Sequence, residues 1–327
     1  MKKRVFGRLG WRVSEVGYGT WGLAGGEGGW TGATPEQAMV CLEQAVEKGC
    51  NFFDTAWIYG RGEGERVLGQ LLAQHQGEKL YVATKIPPKN RVWPSKRGDL
   101  YTEIFPRNHV RDYVCRSLDG LRVERIDLLQ FHVWEDAWCK SDEWLTTVSD
   151  LKQEGLIEGI GISINRWEHT NVLATLRTGL IDAVQVIYNV FDQAPADELF
   201  PECKRLDVAV IARVPYDEGS LCGGLTEASS WPEGDWRNSY FVPENLLPTV
   251  KRVKALQADL PGDEPLASTA LRFVLSSPEI ATVIPGMRSV EHVKANMACS
   301  DTGPLPNEML SLLSRHRWDR QPAWWSQ

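Results

Sequence analysis

Apolar positions along the chain switch between two periods, and the switching is regular enough to count. Short apolar-polar runs at residues 4–6 and 11–13, around Gly7 and Gly10, read as an opening hairpin, and residues 16–20 form a compact strand-like run. Thr34-Pro35-Glu36-Gln37 then offers an N-cap, a proline at the first helical position and a glutamine three residues after the cap. Ala38, Cys41, Leu42, Ala45 and Val46 follow at helical spacing, and Gly49 is the stop. The beat repeats, with strands expected at 51–56, 80–86, 126–133, 157–164, 181–188, 208–214 and 282–284. Helical patterns lie between and after them, at 63–72, 111–121, 144–155, 171–176, 198–206, 246–260, 266–275, 289–298 and 307–317. Residues 217–245 carry no clean periodicity and are rich in Gly, Ser, Trp and Pro, which predicts a long loop of the kind that is more often functional than idle.

Eight strands after a hairpin, nearly all followed by a helix, is the count for an α/β fold of the (β/α)8 TIM-barrel type. No composition break marks a linker, so residues 1–327 are expected to form one domain, with extended loops at the C-terminal face and an irregular tail from about 318. A doubly wound sheet usually has fewer strands, and nothing marks a reversal of strand order.

Composition narrows the function. With 43% apolar and 24% charged residues, wholesale disorder is excluded. A net charge of −7 argues against nucleic acid or an anionic membrane as the main partner. No apolar run approaches the ~18 residues of a spanning helix, and the basic start lacks the apolar stretch of a secretory signal. Seven cysteines without a CxxC pair read as reduced thiols in a cytoplasmic protein, and six scattered histidines show no metal spacing.

Gly17-Tyr-Gly19-Thr-Trp-Gly22 fits the dinucleotide string G-x-G-x-x-G, but the fingerprint requires those glycines to open a helix. The chain continues Leu23-Ala-Gly-Gly-Glu-Gly-Gly, which is no stable first turn, so the string reads as a glycine-rich loop at the barrel mouth.

In a barrel the C-terminal ends of the strands carry the chemistry. The second strand ends in Asp54 with Tyr59 in the loop above it, the third in Lys85, the fourth in His132. Four such groups on adjacent strand ends suggest proton donation to a carbonyl oxygen. A phenol of pKa ~10 is a weak acid at neutral pH, and a neighbouring ammonium that lowers it by ~2 units contributes ~2.7 kcal/mol. Asp54 would hold Lys85 charged and aimed, and His132 could direct a ring N–H at the same oxygen. Lys85 is also the one obvious covalent nucleophile of the set, which leaves a Schiff-base enzyme open. A reductase would still need an electron source from a cofactor.

Asn51-Phe-Phe-Asp54-Thr-Ala-Trp-Ile-Tyr59-Gly, Ala83-Thr-Lys85 and Gln130-Phe-His132 resemble the aldo-keto reductase superfamily. So do Gly159-Ile-Gly-Ile-Ser163, Val184-Gln185 and Ile284-Pro-Gly286-Met-Arg288-Ser289, in the same order. The resemblance implies a catalytic tetrad of Asp54, Tyr59, Lys85 and His132, with Tyr59 the general acid and NADPH (NADP+) bound in extended form. Gly19, Thr20 and Trp21 on the first loop would meet the cofactor. Gln185 matches the carboxamide-binding glutamine, and Ser163 and Asn165 match an adjacent Ser-Asn pair that Ile164 here separates. Arg213 stands where many members stack a tyrosine on the nicotinamide, and a guanidinium can also stack. Glu218-Gly219-Ser220-Leu221 resembles the segment that covers the pyrophosphate. Gly286, Arg288, His292 and Asn296 would form the adenine end, with Arg288 and the helix start at Ser289 as the 2′-phosphate site. Ala295 stands where several members carry a glutamate, so NADH remains possible.

Trp21, Trp30, Trp57, Trp134 and Trp138 fall at or just beyond the expected rim, which predicts a pocket walled by indoles for a small-molecule carbonyl substrate. Such walls suit aromatic ketones and sugars alike. Residues 87–106, with Trp93, Lys96 and Arg97, are expected at the entrance, and the tail with Trp324 and Trp325 either folds over the mouth or meets another subunit. A monomer and a homo-oligomer both remain open. So does a nucleotide-binding regulatory subunit of the same fold, which the complete tetrad disfavours.

Overall fold

The structure is a computed structural model and describes residues 1–23, 34–262 and 264–326. Two antiparallel strands, β1 (Lys3–Phe6) and β2 (Trp11–Ser14), form the opening hairpin. Eight parallel strands follow: β3 (Tyr18–Gly19), β4 (Phe52–Asp54), β5 (Tyr81–Ile86), β6 (Ile126–Phe131), β7 (Ile157–Ser163), β8 (Ala183–Ile187), β9 (Ala209–Arg213) and β10 (Ile280–Val283). Each pairs with its neighbour in chain order, and single bridges from Val16 to Val283 and from Gly19 to Gly286 join the last to the first. The expected barrel is the observed one.

The two glycines of the dinucleotide-like string serve this closure. A Cβ at Gly17 would lie 2.9 Å from the Phe52 carbonyl oxygen, and one at Gly19 2.8 Å from that of Ile284. Both positions let backbone approach backbone, and the Gly19 N–H donates to Pro285 O at 3.1 Å. Only a side chain of zero size fits there.

The hairpin seals the opposite end. Phe6 and Trp11 bury against Phe52, Tyr81 and Ala209 at the strand starts, with Trp11 stacked on Tyr81 at 4.7 Å. The C-terminal ends of the strands are thereby left as the open face. The first long helix, Pro35–Glu47, begins as its sequence signals require: Thr34 accepts from the Gln37 N–H, and the Gln37 side chain accepts from the Thr34 N–H.

Strand limits are tighter than the apolar runs, because several run ends curl into the loops above the barrel. The helix expected at 171–176 is a single turn, Leu173–Leu176, and that at 307–317 stops at Ser314. Segment 217–245 is a loop with two short helical turns, Asp217–Cys222 and Arg237–Tyr240, except that the following helix, Pro243–Asp259, begins three residues before the expected start. The tail does fold back over the mouth. Arg320 is buried against Asp192 and Asp217, and Trp325 packs edge-on to Trp167 and Tyr240. Among the described residues no helix is long and apolar enough to cross a membrane.

Candidate active site

Parallel register brings Asp54, Lys85 and His132 together, and a tight turn above β4 adds Tyr59. Asp54 ends β4, Lys85 lies next to last in β5, and His132 follows β6 directly. Tyr59 starts a tight turn, Tyr59–Gly62, whose Gly60 and Arg61 both have left-handed backbone (φ 61° and 54°). The Lys85 ammonium donates to Asp54 Oδ2 at 2.6 Å, to the Thr55 carbonyl at 2.9 Å and to the Tyr59 hydroxyl at 3.5 Å. The rings of Tyr59 and His132 meet edge-on with centroids 5.9 Å apart.

Electrostatics corrects one expectation. Burial raises the Tyr59 pKa above the ordinary phenol value, and the opposing pull of Lys85 does not overcome it. Burial is the largest cause, and the pairing adds to it. Lys85 spends its closest contact on Asp54, whose negative charge also pushes the phenol up. His132 is held well below the usual histidine value by burial first and then by Lys85 and Arg213, so its ring is neutral at pH 7. Its Nδ1 is buried and has no hydrogen-bond partner.

Above these groups opens a cavity of about 1610 Å³. That exceeds the roughly 300–1,000 Å³ of a site for one drug-sized ligand. Asp54, Tyr59 and His132 reach its wall, while Lys85 stays behind it. Gly19, Trp21, Ser163, Asn165, Gln185, Arg213, Gly286, Arg288, His292 and Asn296 all line it. Thr20 and Leu221 do not, being buried in the layer behind.

Several of these side chains carry duties the sequence did not announce. Gln185 donates to Asp54 Oδ1 at 2.6 Å, so it orients the carboxylate whose other oxygen holds Lys85. Gln130 donates to the same oxygen at 3.3 Å. The Asn165 amide is tied to Ser95, to the Trp134 carbonyl and to Glu168, each at 3.0 Å. Asn296 accepts from the Tyr216 hydroxyl at 2.6 Å. Arg213 donates to the Ile164 carbonyl at 3.1 Å, and its Nε is buried without a partner. Burial brings its pKa down to about 10. Ser289 caps the helix Val290–Thr302 by accepting from the His292 N–H, and Arg288 precedes that cap. A Cβ at Gly22 would come within 3.3 Å of Arg288 Cγ and Cδ, so the third glycine of the string makes room for this arginine.

The indole expectation needs correction. Trp134 and Trp138 are core residues, about 1% and 4% exposed, and do not reach the cavity. Residues 87–106 explain this: Tyr101 and Phe105 fill the space beside them, and the Trp138 Nε1 donates to Asp99 O at 2.7 Å. Trp57 lies one layer back, edge-on to Tyr113 at 4.8 Å. Trp30 lies outside the described residues. Of the expected indoles Trp21 does line the cavity, and the rest of the aromatic wall comes from Trp93 (5.6 Å from the His132 ring), Trp231, Trp236 and Phe241. Lys96 and Arg97 do not reach the cavity, whereas Arg61, Arg91 and Ser326 do. Gln130 had a legible signal, since it shares strand parity with His132. Segment 217–245 and the tail are legible as candidates for the mouth, but which of their side chains face the cavity is not, because a stretch without periodicity does not reveal its inward face.

Among the described residues no group of side chains could hold a metal ion. The sequence profile of the aldo/keto reductase family matches residues 15–317. The chain is 29% identical over 314 residues to the NADH-specific methylglyoxal reductase of Escherichia coli, covering 91% of this chain and 93% of that protein. It is equally 29% identical over 321 residues to the uncharacterized oxidoreductase YqkF of Bacillus subtilis, covering 97% and 96%. The solved holo form of an aldo-keto reductase from Bacillus halodurans superposes with a TM-score of 0.78 at 26% identity, over 100% of both chains.

Proposed function

The chain belongs to the aldo/keto reductase family and is a nicotinamide-dependent oxidoreductase, and we propose that it reduces an aldehyde or ketone with NADPH, Tyr59 giving the proton. One observation carries the reading: Asp54, Tyr59, Lys85 and His132 converge at the floor of a cavity large enough for a dinucleotide and a small carbonyl compound together. The cavity wall fits the cofactor. Arg213 offers a buried Nε with no protein partner, and the Ser289-capped helix points its N-terminus beside Arg288.

When bound, the reduced nicotinamide supplies the hydride. Tyr59 holds its proton firmly in the free protein and yields it to a carbonyl oxygen that is gaining negative charge. Lys85, at 3.5 Å, then stabilises the phenolate left behind. Asp54 fixes Lys85, and Gln185 and Gln130 fix Asp54. His132, neutral, offers one ring N–H beside the phenol. Arg288 and the helix N-terminus support NADPH over NADH, since together they form an anion site where a 2′-phosphate would lie. Lys85 is a poor candidate for Schiff-base chemistry: its side chain is fully buried and hydrogen-bonded, and it does not reach the cavity.

Replacing Tyr59 by Phe tests the reading. Turnover should fall by roughly 10²–10⁴-fold, the usual worth of a positioned acid, while NADPH still quenches tryptophan fluorescence. Full activity in the variant would refute the mechanism.

A further inference from the structure

The cavity is strongly basic in a protein of net charge −7. Among the described residues six arginines line it, at 61, 91, 166, 213, 237 and 288, against two carboxylates, Asp54 and Glu218. Both carboxylates are already neutralised, Asp54 by Lys85 and Glu218 by Arg166 at 2.6 Å. A bound dinucleotide phosphate accounts for the arginines on the β9–β10 side. It does not account for Arg61 and Arg91, which rise from the loops after β4 and β5, on the side of Tyr59.

Neither of these two has a carboxylate partner among the described residues, whereas Arg166 and Arg237 each form an ion pair. Arg61 stands two positions after Tyr59 in left-handed backbone (φ 54°), a conformation that costs an L-residue about 1–2 kcal/mol. Arg91 is also left-handed (φ 59°). Its guanidinium lies over the rings of Trp57 at 5.2 Å and Tyr113 at 5.4 Å, and it donates to the Tyr113 hydroxyl. Trp57 lies two positions before Tyr59, so stack, phenol and Arg61 belong to one short segment. Trp93, on the loop that carries Arg91, borders His132. The arginine pair therefore stands at the rim of the space a carbonyl would enter to reach Tyr59.

We propose that the substrate is a carbonyl compound bearing an anionic group, a carboxylate or a phosphate monoester, which Arg61 and Arg91 hold at the rim while the carbonyl lies at Tyr59 and His132. This rests on the reductase reading and names the substrate class. Planar guanidinium forks suit both anions. Arg91 is held by its stacking before the ligand arrives, which lowers the cost of ordering it. Because both side chains are partly open to water, the attraction weakens with ionic strength over a Debye length of about 8 Å at physiological salt.

The test uses the whole protein with NADPH and four matched aldehydes: 4-carboxybenzaldehyde, its neutral methyl ester, 4-formylphenyl phosphate and benzaldehyde. At low salt, kcat/KM for at least one anionic aldehyde should exceed that for the neutral pair by tenfold or more, chiefly through KM. The advantage should shrink in 0.5 M NaCl. Which anion gains more separates carboxylate from phosphate. Arg61→Gln and Arg91→Gln should each reduce the charged-to-neutral ratio by roughly tenfold, the worth of one charge-assisted hydrogen bond. Equal turnover of charged and neutral aldehydes, or a ratio that neither substitution moves, would overturn the proposal and leave the reductase intact. No NADPH-linked turnover of any of the four would count against both.

Discussion

The ammonium of Lys85 lies 2.6 Å from Asp54 Oδ2 with both side chains buried. A buried ion pair of this kind is stabilising only as a pair. Asp54→Asn leaves the Lys85 charge uncompensated, and whichever way the new amide turns, its NH2 faces a donor, either Lys85 or the two glutamines. The expected cost is about 3–5 kcal/mol, read as a lowered midpoint in denaturant. Asp54→Asn combined with Lys85→Met should recover much of that stability and none of the activity. A double variant no more stable than the single one would contradict the pairing.

With Tyr59 as the proposed proton donor, its protonation sets the alkaline limb. Because burial raises its pKa above the ordinary value, the proton stays on through neutral and mildly alkaline pH. The kcat/KM for carbonyl reduction should therefore hold across pH 7–9 and fall only near or above ~10. A limb near pH 7 would mean that Lys85 outweighs burial after all.

His132 makes the opposite contribution at low pH. Its folded pKa lies well below the unfolded value of about 6.5, so the unfolded chain binds more protons between the two. Stability linked to His132 is complete above ~6.5 and is lost as pH falls toward the folded value. The melting temperature of the wild type should drop between pH 7 and 5 by more than that of His132→Gln. Parallel pH slopes for the two proteins would show that the ring is not held neutral.

Arg288 should discriminate between the two nicotinamide cofactors. Arg288→Leu removes a charge beside the Ser289 cap and leaves the helix N-terminus in place. Fluorescence titration should show NADPH affinity falling by roughly tenfold, the loss of one charge-assisted contact, with NADH affinity little altered. An equal loss for both would assign Arg288 to packing against Gly22 instead.

The tail is held by a second buried charge. Arg320 bridges Asp192 and Asp217, and Asp217 in turn accepts from the Ser220 hydroxyl within the turn that presents Glu218 and Gly219 to the cavity. Arg320→Gln should destabilise the fold by about 3–5 kcal/mol, since two acids lose their partner. NADPH affinity should fall with it. A variant of unchanged stability would place the tail outside the cooperative fold.

The strand count, the hairpin, the Thr34 cap and the positions of Asp54, Tyr59, Lys85 and His132 were legible along the chain. All of these depend on local period and on the rule that barrel strands end at one face. That the glycine string opens no helix is equally local, and backbone approach at Gly17 and Gly19 gives those glycines their physical reason. The contents of the wall were a different matter. Trp134 and Trp138 lie in the core because Tyr101 and Phe105 come to cover them, while Trp231 and Trp236 reach the cavity from a loop roughly a hundred residues later. The sign of the Tyr59 shift likewise needed three dimensions. It is a contest between burial and one ammonium, and burial is the sum of everything that packs around a group, most of it distant in sequence.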